Sequence, residues 1–234
     1  MSFRSRPGRE PRSRTASARG EEQRAERIDA YLRGHAVRRL QLGAGKRHIG
    51  GWLSTDLRPK GPDSVYLDVT ERFPFNDGSL DFIFGEHVIE HVSWDNGQKM
   101  LHECFRALRP GGVLRLATPD FARLMQLYRG AAGPDGDHYL RWHHRRFTPE
   151  EPIHPLVVIN HNMRAWGHTF LYDEEMLTSA IGDAGFTGIG RHDFGQSPHS
   201  ELCAVEQHGG TIPNRQRAVR WETMCLEGTK RAGQ

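Results

Sequence analysis

Cysteine is scarce in this chain, and both long apolar runs and a strong excess of one charge sign are missing. The three cysteines, Cys104, Cys203 and Cys225, lie far apart and form no C-x-x-C pair. That spacing excludes a disulfide framework and a cysteine-built zinc site, and it points to a reducing, cytoplasmic setting. No apolar stretch approaches the roughly 18 to 20 residues of a membrane helix, and no apolar core of a secretory leader is present. With 32 Lys and Arg against 29 Asp and Glu, the net charge is only +3. The global balance therefore gives no reason to expect a nucleic-acid or membrane partner. What remains is 234 residues, 36% apolar and 26% charged, enough for one domain with a sizeable core.

Two nucleotide signatures are absent as well. There is no G-x-x-x-x-G-K-[ST] phosphate loop. Gly43 and Gly45 begin a dinucleotide fingerprint, but His48 stands where its third glycine belongs. The stretch Arg38 to Asp56 still has nucleoside-binding character. A short apolar run ends in Gly43-Ala44-Gly45, where bare backbone can approach a ligand. A second extended run ends at Asp56-Leu57, where a carboxylate suits ribose hydroxyls, and a third ends at Asp68-Val69, where an adenine amino group can be met.

The remaining chain reads as alternating strands and helices. Met1 to about Gly20 is rich in Arg, Ser, Pro and Gly and is expected to be a disordered basic tail, a solvated arm in preference to a nucleic-acid arm or transit peptide. Residues 21–234 form one expected domain. A helix from Glu21 to Gly34 carries Ala25, Ile28, Tyr31 and Leu32 on one face. Strands are expected at Val37–Leu42, Trp52–Leu57, Ser64–Asp68, Leu80–Gly85 and Val113–Ala117, with further strands near Phe186–Phe194 and Val219–Leu226. Helices are expected behind Asp95, Asp120 and Asp173, each a good cap. Residues 130–168 show no clean period and read as an irregular lid insertion.

The run Phe73-Pro74-Phe75, then Leu80-Asp81-Phe82-Ile83-Phe84-Gly85-Glu86-His87-Val88-Ile89-Glu90-His91, then Leu108-Arg109-Pro110-Gly111-Gly112 resembles class I S-adenosylmethionine-dependent methyltransferases of the HVLEH and LKPGG type. The resemblance runs from about Leu40 to Asp120 and resumes more loosely from Trp166 to Phe186. It implies a Rossmann-like α/β fold: a seven-stranded, mostly parallel sheet with an antiparallel last strand and helices on both faces. It also implies S-adenosylmethionine as cofactor. Gly43, Ala44 and Gly45 would meet its amino acid part, Asp56 and Leu57 its ribose, Asp68 and Val69 its adenine, and Glu86 and His87 the region near the sulfonium. The sequence departs from the pattern at Gln41, where many members carry an acid, and at Lys46-Arg47, which replace a further glycine.

His87 and Asp120 are the candidates near the reacting centre. His87 to His91 also matches H-x-x-E-H, an inverted zinc-peptidase pattern. Because the motif sits at a strand exit, the methyltransferase pattern explains it better, and no metal is expected. Six histidines, His138, His143, His144, His154, His161 and His168, crowd one aromatic stretch; for each, a surface or structural place is preferred to a catalytic one. The expected activity is in-line methyl transfer to an oxygen, nitrogen or carboxylate of a small molecule or sugar. Alternatives are another use of the sulfonium, such as alkyl transfer or cyclisation giving methylthioadenosine, and a non-catalytic cofactor-binding or partner-binding domain.

Overall fold

The structure, a computed structural model, describes residues 14–61 and 64–231. Its strands are β1 (Arg39–Leu42), β2 (Leu53–Asp56), β3 (Ser64–Tyr66), β4 (Leu80–Glu86), β5 (Leu108–Pro119), β6 (Thr187–His192) and β7 (Thr223–Thr229). Its helices are α1 (Arg14–Gly34), α2 (Trp94–Ala107), α3 (Phe121–Tyr128), α4 (Gly133–Phe147), α5 (Pro155–Arg164), α6 (Glu174–Asp183) and α7 (Pro213–Glu222), with 3-10 turns at Ile89–His91 and Ser200–Leu202. The strands form one seven-stranded sheet in the order β3-β2-β1-β4-β5-β7-β6. β1 to β5 pair in parallel, and β7 runs antiparallel between β5 and β6.

Alternation along the central strands separates two apolar clusters. Ile83, Leu114 and Leu116 face the main core, which Ile28 of α1, Leu101 and Cys104 of α2 and Ile181 of α6 complete. The caps that start these helices are local: Ser93 accepts from the Asn96 amide and Asp173 from the Met176 amide. The first cap lies two residues before the expected Asp95. Phe84, Val113 and Ala117 point the other way and pack with Trp52, Leu202 and Val205. Here the covering material next to β1 is loop and the 3-10 turn Ser200–Leu202. The reason is visible in the β1–β2 connection, where residues 43–52 include four glycines, too short and too glycine-rich for a helix.

A segment from the C-terminal part of the chain supplies that cover, and Arg115 holds it. This fully buried arginine donates to the carboxylates of Glu206 and Glu227 and to the backbone carbonyls of Asp193 and Gln196. Glu206 in turn accepts from the Gly195 amide. α7 touches this cluster at its margin, with the Arg220 guanidinium 5.3 Å from the Phe194 ring centroid.

A third cluster unites α3, α4, α5 and α7 around Leu124, Tyr139, Val158, Ile159 and Trp221. Residues 130–168 are therefore not an irregular lid: they hold α4 and α5, each with proline in its first turn. The period was hidden because its inward stripe, Tyr139, His143 and Phe147, uses a histidine at an apolar position. Two further boundaries differ from expectation. Residues 219–222 belong to α7, so the last strand begins at Thr223. Residues 14–20 are the first turns of α1, and residues 1–13 of the expected tail lie outside the described residues. Among the described residues, no helix is long and apolar enough to cross a membrane.

Candidate active site

The carboxyl ends of β1 to β4 bring most of the expected cofactor residues to one edge of the sheet. Gly43 and Gly45 both have left-handed backbones, with φ of 60° and 56°. A Cβ on Gly43 would stand 2.4 Å from a Val88 methyl, whereas one on Gly45 would meet nothing within 4 Å. The space over Gly45 is open to a ligand. Between them, buried Ala44 donates its amide to the Thr55 carbonyl at 2.9 Å. Asp56 accepts from the Gly45 amide at 2.9 Å and the Arg58 amide at 2.7 Å, one on each oxygen, which leaves a lone pair on both. Leu57 beside it is 53% exposed, an apolar surface next to the carboxylate. Asp68 accepts from the Thr70 amide and hydroxyl through one oxygen only, and Val69 packs at the edge of the main core. These open lone pairs fit the nucleoside half of S-adenosylmethionine, and the open glycine fits its amino acid part.

Gln41 has a clear local task. Its amide accepts from Ser54 Oγ and the Ile49 amide and donates to the Arg47 carbonyl, so it shapes the loop after the glycine turn. A carboxylate has no hydrogen with which to reach that carbonyl. Glu86 is likewise engaged by backbone: its two oxygens accept from the Gln207 and His208 amides at 2.9 and 2.8 Å, and burial raises its pKa. It anchors a turn of the covering segment at the end of β4.

Next to Glu86, His87 takes a left-handed backbone at φ 52°, an uncommon state for a non-glycine residue that is concentrated at functional sites. Its Nδ1 pairs with buried Glu90 at 2.9 Å, while its buried Nε2 has no protein partner. Glu90 also accepts from Thr118 Oγ1 at 3.0 Å. This arrangement directs His87 into a cavity of about 280 Å³ at the ends of β4 and β5. Trp142, Phe147 and Trp166 form its aromatic wall, Glu222 and Asn162 add polar groups, and Arg146 and Arg215 stand at its edge. His91, His143, His168 and His208 also face it. Burial, with repulsion from neighbouring cationic groups, pushes His143 and His208 down to about 3, so both are neutral at pH 7. Burial raises Glu222.

Asp120 is not among these groups. Its buried carboxylate caps α3 through the Ala122 amide and pairs with Arg191 at 2.9 Å, so its surroundings account for it structurally. Glu222, His208 and Arg215 were not singled out from the sequence. α7 and the covering segment deliver them from far along the chain, and nothing near them in sequence marks the site.

A family model described as a methyltransferase domain matches residues 52–116. Probable S-adenosylmethionine-dependent methyltransferases from two strains of Mycobacterium tuberculosis are each 29% identical over 150 residues, covering 63% of this chain and 42% of theirs. One from Mycolicibacterium smegmatis is 49% identical over 49 residues, 21% of this chain and 18% of the relative. The chain thus spans less than half the length of these curated relatives. A SAM-dependent methyltransferase structure from Archaeoglobus fulgidus aligns with a TM-score of 0.48 at 14% identity, covering 90% of this chain and 94% of that one. The matched segment contains β2 to β4 and most of β5, and the observed strand order matches the Rossmann-like fold of S-adenosylmethionine-dependent methyltransferases.

Proposed function

We propose that the protein transfers a methyl group from S-adenosylmethionine to a small acceptor bound in the cavity beyond His87. One observation carries this reading: the nucleoside-fitting strand ends and the cavity adjoin at Glu86-His87. The cofactor supplies an activated methyl on a sulfonium, so the protein's main task is to align a nucleophile and exclude water. Such positioning is worth on the order of 7 to 11 kcal/mol. The aromatic wall excludes water, and His87 Nε2 is placed to take the proton that an oxygen or nitrogen acceptor gives up. Glu90 orients that imidazole.

Arg146 and Arg215 make no ion pair among the described residues; Arg215 has Arg47 and Arg146 as cationic neighbours, and Arg47 contacts His208 at 3.1 Å. This positive rim suits an acceptor bearing a carboxylate or phosphate. Asp120 has no part in the reaction in this reading. Incubation with methyl-labelled cofactor and pools of anionic acceptors should give labelled product and one S-adenosylhomocysteine per transfer. Methylthioadenosine as co-product, or bound cofactor that never turns over, would overturn the proposal.

A further inference from the structure

Glu90, His91 and His168 place one ligand atom each within 4.8 Å of one another, a spacing that small side-chain shifts convert to coordination of one ion. The sequence pattern H-x-x-E-H, for which no metal was expected, would as a zinc-peptidase site need a different set, His87 with His91 on one helix face. The structure does not build that pair. His87 precedes the short 3-10 turn in a left-handed conformation, and its Nδ1 is occupied by Glu90. The second imidazole comes instead from His168, in the turn after α5.

The surroundings of these three groups resemble the outer shell of a metal centre. His168 Nδ1 lies 2.7 Å from the Asn162 carbonyl. A carbonyl only accepts, so the proton is on Nδ1 and, in the neutral ring, the lone pair is on Nε2. Metal-binding histidines are typically fixed in this way by a backbone carbonyl. Glu90 is fully buried and held by His87 and Thr118 on different oxygens, each of which keeps a free lone pair. The His91 and His168 rings meet edge to face at 4.9 Å, and both line the cavity.

We propose that Glu90, His91 and His168 bind one divalent first-row transition-metal ion at the cavity floor. Two imidazoles and a carboxylate suit zinc, iron(II), cobalt(II) or manganese(II), and three protein ligands leave coordination positions open. Those positions face the cavity, so the ion selects an acceptor that offers oxygen donors. That selection rests on the methyl-transfer reading; metal binding does not.

Cobalt(II) titrated into the full chain, followed by visible absorption and calorimetry, tests the site without cofactor or acceptor. One equivalent should bind per chain. His91→Ala and His168→Ala should each weaken uptake at least about 10-fold with unchanged circular dichroism. His138→Ala, which alters a histidine bonded to the Asn214 carbonyl away from the site, should bind as the unaltered protein does. If His168→Ala fails to fold, the exposed His91→Ala decides. Absence of stoichiometric uptake, or unchanged affinity in His91→Ala, would overturn the site while leaving the methyl-transfer proposal intact.

Discussion

Gly43 and Gly45 share a left-handed backbone, yet a methyl group added at each meets different surroundings. Gly43→Ala brings backbone strain and a 2.4 Å approach to Val88; a loss of about 2 to 4 kcal/mol is expected in a denaturant titration. Gly45→Ala brings only the strain, about 1 kcal/mol, and its methyl enters the open space over the turn, so calorimetry should show weakened S-adenosylmethionine binding. Asp56→Ala should weaken the same binding by about ten-fold or more, since a charge-assisted hydrogen bond contributes roughly 1.5 to 3 kcal/mol. Unchanged affinity would remove Asp56 from the site. These positions were legible because their demands are local: bare backbone at a strand exit, and an acid at the next one. Asp120 was ambiguous for the opposite reason. A cap and a catalytic acid look alike until Arg191 arrives from another strand.

At the scale of elements, the least legible part was α4 and α5. A search for apolar residues every three or four positions fails when His143 occupies the inward face and when the neighbouring aromatics line a cavity. The strands were clearer, because buried parallel strands read as short continuous apolar runs. Arg115 was an exception, a charged residue in the middle of β5. Its explanation is the covering segment, whose Glu206 sits far away in sequence. Arg115→Met leaves Glu206 without its cation and Glu227 with only His192 nearby, at 3.5 Å, and a loss of about 3 to 5 kcal/mol is expected in guanidinium unfolding. Adding Glu206→Gln and Glu227→Gln to that variant should restore much of the loss, because neutral groups of similar size do not carry an uncompensated buried charge. A triple variant no more stable than Arg115→Met would show that packing of the arginine stem, and not its charge, holds the segment.

For the whole molecule, the buried histidines set a response to acid. In the unfolded chain they titrate near 6.5, as an ordinary histidine does, whereas His143 and His208 in the folded protein are pushed down to about 3. Between these values the unfolded chain binds protons that the folded one refuses, so the contribution of these two groups to stability is full above pH 6.5 and falls as the pH drops toward 3. For fully buried His143 the slope approaches about 1.4 kcal/mol per pH unit. Thermal melts at pH 7 and pH 5 should differ accordingly, and His143→Leu should flatten the difference. The strand succession and the placing of the glycine turn and the acids at the strand ends could be read from the chain alone, because each strand carries its own turn. The cavity could not, since its walls run from His87 to Glu222 and exist only after the helical cluster has closed on the sheet.

The segment that covers the second face also imposes an order on synthesis. β1 to β4 leave the ribosome with Trp52 and Phe84 bare, and Arg115 then follows without either carboxylate. The helices on the first face can form from local contacts, but this side of the sheet must wait for residues 193–206 and for Glu227, 112 residues after Arg115. Such distant pairings close slowly, and the exposed surface favours association in the interval. A nascent chain stalled before residue 193 should therefore present an adhesive sheet face to the holding chaperones of the cell, and release from them should coincide with the arrival of Glu206.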